Sequence, residues 1–169
     1  GPAGRLLMKL LAELGFDLTN AYLTNVCKCM PTDDGRRFRK PLPDEVAACT
    51  AKWTFPELRA LPNLRVLVAV GGVAASAILG REVYITRERG QVCRSPFCDR
   101  VVPILHPSYL LRQNEDPELM RLTREDLALV RSLVDGDEPP STARSNGASG
   151  ADGSAGRSSV EVEPPAHDP

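Results

Sequence analysis

The sequence VVPILHPSYLLR, residues 101–112, decides the fold of this chain more directly than any other stretch. Its first five residues are apolar and rich in β-branched side chains, which is typical of a strand buried in a sheet. A His-Pro-Ser turn follows, and two leucines and an arginine close the stretch. Because ligands of open α/β sheets bind just beyond the carboxyl ends of the strands, the sequence predicts that His106 lies at a ligand site. A structural histidine beside a proline turn fits the same residues.

The rest of the chain alternates between helical and strand-like patterns. Apolar residues at helical spacing predict helices near residues 4–15, 43–60, 72–79 and 123–134. Short apolar runs predict strands near residues 21–26, 65–70 and 100–105, and an extended segment at 83–93. Thr123 and Asp126 resemble a capping box that opens the last helix. Strands that alternate with helices predict an α/β fold with a parallel sheet and right-handed crossovers.

Composition divides the chain after residue 134. Residues 135–169 are rich in Ser, Gly, Ala, Pro and acids, and such a segment cannot bury enough apolar surface to offset its ordering entropy. We therefore expect one domain at residues 1–134 and a disordered acidic tail at 135–169. The net charge of −1 hides 19 basic and 15 acidic residues in the domain, an excess that suits a polyanionic partner only modestly.

The sequence argues against a membrane-spanning protein and against a protein held together by disulfide bonds. No apolar run approaches the length of a membrane span, and no signal peptide is visible. The chain has five cysteines, an odd number that argues against a disulfide framework.

A second segment, AYLTNVCKC at residues 21–29, carries a polar side chain able to read a ligand, Asn25. With the His-Pro-Ser turn, it resembles the uracil-DNA glycosylase superfamily, most closely the iron–sulfur family-four branch. There the two stretches run roughly Tyr-x-Thr-Asn-x-x-Lys-Cys-x-Pro and His-Pro-Ser/Ala-x-Leu-Leu-Arg. Two further matches keep the family order: Pro43-x-Glu45-x-x-x-Cys49 and Arg89-Gly90-Gln91. The resemblance spans about residues 1–134.

The resemblance implies a three-layer α/β/α fold with a central parallel sheet, and a repair enzyme that flips uracil out of DNA and hydrolyses its N-glycosidic bond. Asn25 would read uracil, because one primary amide can accept from N3–H and donate to O4. The structural alternative is that Asn25 closes an Asx turn. His106 would stabilise the charge that develops on O2 of the departing base.

The same resemblance assigns DNA contacts to the residues after the histidine. Ser108 and Arg112 would hold flanking phosphates. Leu110 and Leu111 would follow the turn into the minor groove, where apolar wedges replace lost stacking. Residues 109–111 also fit the first turn of a helix that packs inward, and we expect one leucine in the core and one exposed.

Cys29 and Cys49 match two of the four thiolates that hold the family's [4Fe–4S] cluster. The other two belong to an N-terminal Cys-x-x-Cys that this chain lacks. The sequence therefore implies a cluster in the intact protein and two of its four ligands here. Cys93 and Cys98 have no support as ligands from the family.

Two family features would precede Gly1: the Gly-Glu-x-Pro-Gly motif that activates water, and the first strand, which the family places between the strands near 21–26 and 65–70. We therefore expect a truncated fragment with weak or no activity by itself. The implied partner is uracil-containing DNA, single- or double-stranded, bound by a cytoplasmic, nucleoid-associated monomer without membrane contact. The competing hypotheses are a relative that captures uracil-DNA without turnover and an inactive structural homologue.

Overall fold

The computed structural model describes residues 1–136 except 34, 36 and 38. The helices and strands, in chain order, are α1 (Pro2–Ala12), α2 (Pro43–Cys49), a π-helix (Thr50–Thr54), α3 (Phe55–Arg59), β1 (Leu67–Val70), α4 (Gly72–Leu79), α5 (Ile85–Glu88), β2 (Val101–Ile104), α6 (Pro107–Arg112) and α7 (Pro117–Asp135). The tail predicted at residues 135–169 lies outside the described residues from position 137 onward. No helix of the described part is long and apolar enough to cross a bilayer.

The two strands form a parallel pair with apolar clusters on both faces. Their register runs from Leu67 opposite Val101 to Val70 opposite Ile104. One cluster joins the sheet to α1, α6 and α7, and the other joins it to α3 and α4. Because helices cover both faces of a parallel sheet, the predicted α/β class is confirmed.

The two outer edges of the sheet differ. Residues 90–93 cover β2, since the Gly90 amide donates to the Pro103 carbonyl at 2.8 Å and Cys93 exchanges two backbone hydrogen bonds with Val101. The outer side of β1 instead borders a cleft of about 1060 Å³, whose wall also includes residues 20–31.

The strand predicted at residues 21–26 is wrong. This segment has no ladder partner among the described residues, because strands must lie about 4.7–4.9 Å apart to pair and the cleft separates it from β1. Side chains from α3 and the π-helix hold it instead. The sequence pattern indicates the apolar character of the segment but does not show whether another strand lies beside it.

Three other predictions change in detail. The predicted helix at 43–60 is continuous as α2, the π-helix and α3, so Pro56 does not end it. The segment at 83–93, predicted extended, contains the short helix α5. The last helix begins at Pro117, six residues before the predicted start, and Asp116 caps it by accepting from the Glu118 and Leu119 amides at 3.0 Å.

The predicted capping box of Thr123 and Asp126 is also wrong, because both residues lie inside α7 and are buried. The Asp126 carboxylate accepts from the Arg89 guanidinium, with a distance of 2.7 Å between Nε and Oδ2. Burial raises the pKa of Asp126 to about 6 and the pairing with Arg89 opposes that rise, so the carboxylate is ionised at neutral pH. This ion pair ties the segment before β2 to α7.

Candidate active site

His106 lies two residues beyond β2 and caps the N-terminus of α6. Its Nδ1 accepts the backbone N–H of Ser108 at 3.1 Å, and the Ser108 Oγ lies 2.7 Å from the same nitrogen. A ring nitrogen that accepts a backbone N–H carries no proton, so in the neutral ring the proton is on Nε2. The turn therefore presents a hydrogen-bond donor from the outer side of the imidazole.

A short chain of hydrogen bonds continues this arrangement. Arg112 Nη1 donates to Ser108 Oγ at 3.4 Å, which leaves the serine hydroxyl proton directed at Nδ1. Although part of the ring is exposed, partial burial lowers the pKa of His106, and the positive charge of Arg112 lowers it further. His106 is therefore a neutral donor at pH 7. The phosphate contacts expected of Ser108 and Arg112 stay a prediction.

Gly71 makes room for the histidine. It follows β1 with φ of +86°, in a conformation that side chains disfavour. A Cβ at this position would lie 3.0 Å from the Cβ of His106 and 3.2 Å from Cδ2. The glycine therefore lets the ring sit directly against the end of β1.

Nuclear magnetic resonance should detect this state of the ring. We expect long-range ¹H–¹⁵N spectra to show a neutral His106 with its proton on Nε2 and a pKa below the ordinary value of about 6.5. His167→Ala removes the only other histidine signal. Because the pKa falls on folding, the unfolded chain takes up the proton first as the pH drops, and this group then destabilises the native state. A proton on Nδ1 at neutral pH would contradict the assignment.

Asn25 and His106 line the same cleft, together with the neighbouring Thr24 and Val26. Asn25 is exposed. Within the described residues its side-chain amide makes no hydrogen bond, so the Asx turn that the sequence also allowed is not formed. The structure thus places Asn25, predicted to read the base, and His106, predicted to stabilise the leaving group, on the wall of one cavity, and it leaves the amide open to a ligand.

The two leucines after the turn differ in burial. Leu110 is fully buried among α1 and α7, because it shares the inner side of α6 with Pro107. Its assignment as a minor-groove wedge is therefore corrected: it is a core residue. Leu111 is only half-buried and remains the candidate wedge.

The predicted thiolates lie near each other but form no complete metal site. The Lys28 backbone N–H donates to Cys49 Sγ at 3.1 Å, and Cys29 is the next residue. Burial is the main cause that raises the pKa of the Cys27 thiol, and the neighbouring Cys49 raises it further. Within the described ranges, no three His, Cys, Asp or Glu side chains could hold a metal ion together. These residues alone therefore do not fit a four-thiolate cluster.

Comparison with known proteins identifies the family. Residues 1–128 match the sequence model of the uracil DNA glycosylase superfamily. The chain belongs to this superfamily. It is 38% identical over 135 residues to the type-4 uracil-DNA glycosylase of Thermotoga maritima, covering 79% of this chain and 67% of that protein. The type-4 uracil-DNA glycosylase of Archaeoglobus fulgidus is 31% identical over 147 residues, covering 82% of this chain and 69% of that protein.

A type-5 uracil-DNA glycosylase of Thermus thermophilus is 44% identical over a shorter stretch of 62 residues, which covers 37% of this chain and 26% of that protein. The longer alignments agree with the family-four character of the motifs.

Three residues that support the candidate site were not predicted from the sequence. Gly71 packs against His106, and Thr54 and Glu57 bond to the segment that carries Asn25. From sequence alone, the Gly71-Gly72 pair predicts only a turn. The bonds from Thr54 and Glu57 join residues 28 to 35 positions apart, which no local pattern reveals.

Proposed function

We propose that this superfamily member excises uracil from DNA in base excision repair, by flipping the base out of the strand and hydrolysing its N-glycosidic bond. The observation that carries the proposal is that Asn25, whose amide is open, and His106, whose proton is on Nε2, line the same cleft. The type-4 relatives named above are uracil-DNA glycosylases and support it.

The two groups have separate tasks in this proposal. The Asn25 amide accepts from N3–H and donates to O4 of uracil, whereas cytosine presents the reversed pattern, which an amide held in one orientation would reject. The neutral His106 donates through Nε2 to O2, where negative charge develops as the bond breaks. Because the ring is already oriented and neutral, little reorganisation is needed during the reaction.

Attack of water is not assigned to a described residue. The weak activity expected of residues 1–169 therefore stays a prediction. It is tested by measuring single-turnover uracil excision by this chain. Residues 1–134 are proposed as the glycosylase domain.

Cys29 and Cys49 are proposed as two of the four thiolates of a [4Fe–4S] cluster, which would hold the loop around residue 28 against α2. Soft thiolates are the ligands that such clusters take, and the remaining two would come from elsewhere. We also propose that the protein acts as a monomer on nucleoid DNA in the cytoplasm.

An excision assay on oligonucleotides with one uracil separates the competing functions. A glycosylase releases the base and leaves an abasic site, which alkali cleaves. A covalent protein–DNA adduct without turnover would instead identify a relative that captures uracil-DNA. No product and no adduct would identify an inactive homologue, and either of these two results would overturn the proposal.

The role of Asn25 is tested by Asn25→Asp. This change should weaken uracil excision, because an ionised carboxylate cannot donate to O4. It should allow slight cytosine excision if the acid is protonated in the cleft. Single-turnover rates on uracil and cytosine oligonucleotides measure both effects, and unchanged uracil excision would show that Asn25 does not read the base.

The wedge is tested by Leu111→Ala. We expect this variant to lose more activity on duplex than on single-stranded DNA, because an unpaired base costs less to flip. Paired single-turnover rates on the two substrates give the ratio. An equal loss on both would return Leu111 to a packing role.

A further inference from the structure

The helical segment from α2 to α3 contains a π-helix at Thr50–Thr54. In the π-helix the Phe55 N–H donates to the Thr50 carbonyl, five residues back. Pro56 lacks an N–H and its ring would clash with the carbonyl four residues before it in a regular helix, and the wider turn relieves this conflict. A single π turn of this kind is rare and often lies at a functional site.

The π turn brings Cys49, Thr54 and Glu57 to one side of the helical segment. In an unbroken α-helix, Thr54 would lie roughly 140° around the axis from Cys49, because five residues exceed one turn by that angle. An i→i+5 turn returns the fifth residue close to the first. All three side chains consequently reach the same partner, residues 22–28.

The contacts with this partner are specific. Thr54 Oγ donates to the Val26 carbonyl at 2.9 Å and lies 3.4 Å from the Asn25 carbonyl. The Glu57 carboxylate accepts from the Tyr22 hydroxyl at 2.6 Å and the Thr24 hydroxyl at 2.9 Å.

Lys28 completes the attachment. Its side chain pairs with Glu57 and its backbone N–H donates to Cys49. The segment is thus fixed before, at and after Asn25, although no strand of the described residues pairs with it.

We infer that Thr54 and Glu57 are positioning residues for uracil recognition, which hold the backbone of residues 22–28 so that the Asn25 side chain lies at the cleft. This inference rests on the proposed function. Reading of the base depends on where that backbone lies, since the amide must come within hydrogen-bond distance of N3 and O4 of uracil. A misplacement of about 1 Å at a reacting site can cost about 10²-fold in rate.

The test uses the full-length protein and single-turnover excision on a single-stranded uracil oligonucleotide. Thr54→Val should lower the rate roughly 10- to 100-fold, and Thr54→Ser should restore it because the hydroxyl returns. Thr50→Val is the matched control: Thr50 is equally buried, but its hydroxyl bonds to the carbonyls of residues 46 and 47 within its own helix. That control should keep the wild-type rate.

A double-mutant cycle separates positioning from general structural support. If Thr54 acts through Asn25, the double variant Asn25→Ala/Thr54→Val should be no slower than Asn25→Ala. A double variant slower by the full Thr54→Val factor would overturn the inference. Glu57→Gln, at a side chain one-quarter exposed, should also be slower than wild type, and it keeps the test decisive if Thr54→Val does not fold.

The failures of the two proposals are distinguishable. A wild-type rate for Asn25→Ala would overturn the proposed role of Asn25 and this inference with it. An impaired Asn25→Ala together with wild-type rates for folded Thr54→Val and Glu57→Gln would overturn the inference alone.

Discussion

Replacing His106 with alanine is expected to lower single-turnover uracil excision roughly 10²–10³-fold, the usual cost of removing one donor to a developing oxyanion. The affinity for uracil-containing DNA should stay nearly intact, because the ring contacts the base only after extrusion in our account. Rapid-quench excision and equilibrium binding measure the two quantities separately.

His167→Ala is the control, since His167 is the other histidine of the chain and has no proposed role. It should keep the wild-type rate. Equal losses of rate and affinity in His106→Ala would assign the histidine to DNA binding instead, and an unchanged rate would make it a structural cap of α6.

Gly90→Ala is expected to destabilise the domain strongly. Gly90 has φ of +69°, and a Cβ there would lie 2.2 Å from the Asp126 Oδ1. To relieve this overlap, Asp126 must leave Arg89, and disrupting a buried ion pair costs about 3–5 kcal/mol. Urea denaturation should show a loss of that size in the free energy of unfolding.

Gly80→Ala separates the clash from backbone strain. Gly80 has a similar φ of +66°, but a Cβ there would meet no atom within 4 Å. It should lose only about 1–2 kcal/mol, the cost of placing a side chain in the left-handed region. Equal losses in the two variants would show that Asp126 moves aside freely.

The features that sequence predicted best are those governed by local apolar pattern. The strands near 65–70 and 100–105 form, pair in parallel and carry helices on both faces. His106 lies beyond the second strand, as the general geometry of α/β sheets requires. Motif resemblance, and not periodicity, supplied the role proposed for Asn25.

The features that were predicted wrongly depend on partners far away in the sequence. Residues 21–26 have the composition of a strand but pair with no strand in the part of the chain that the structure describes, so tertiary context overrides propensity. Thr123 and Asp126 have the spacing of a capping box, yet Asp126 pairs with Arg89, 37 positions earlier. The true start of α7 did carry a local signal, an aspartate followed by proline at residues 116 and 117.

A crystal structure of the protein with bound uracil would show whether Asn25 and His106 contact the same base. We predict that uracil occupies the cleft with N3–H and O4 paired to the Asn25 amide and O2 accepting from Nε2 of His106, each at a normal hydrogen-bond distance of about 2.7–3.2 Å. The ring of His106 should keep its Nδ1 contacts with Ser108. Uracil bound outside the cleft, or in the cleft without contact to either side chain, would contradict the account.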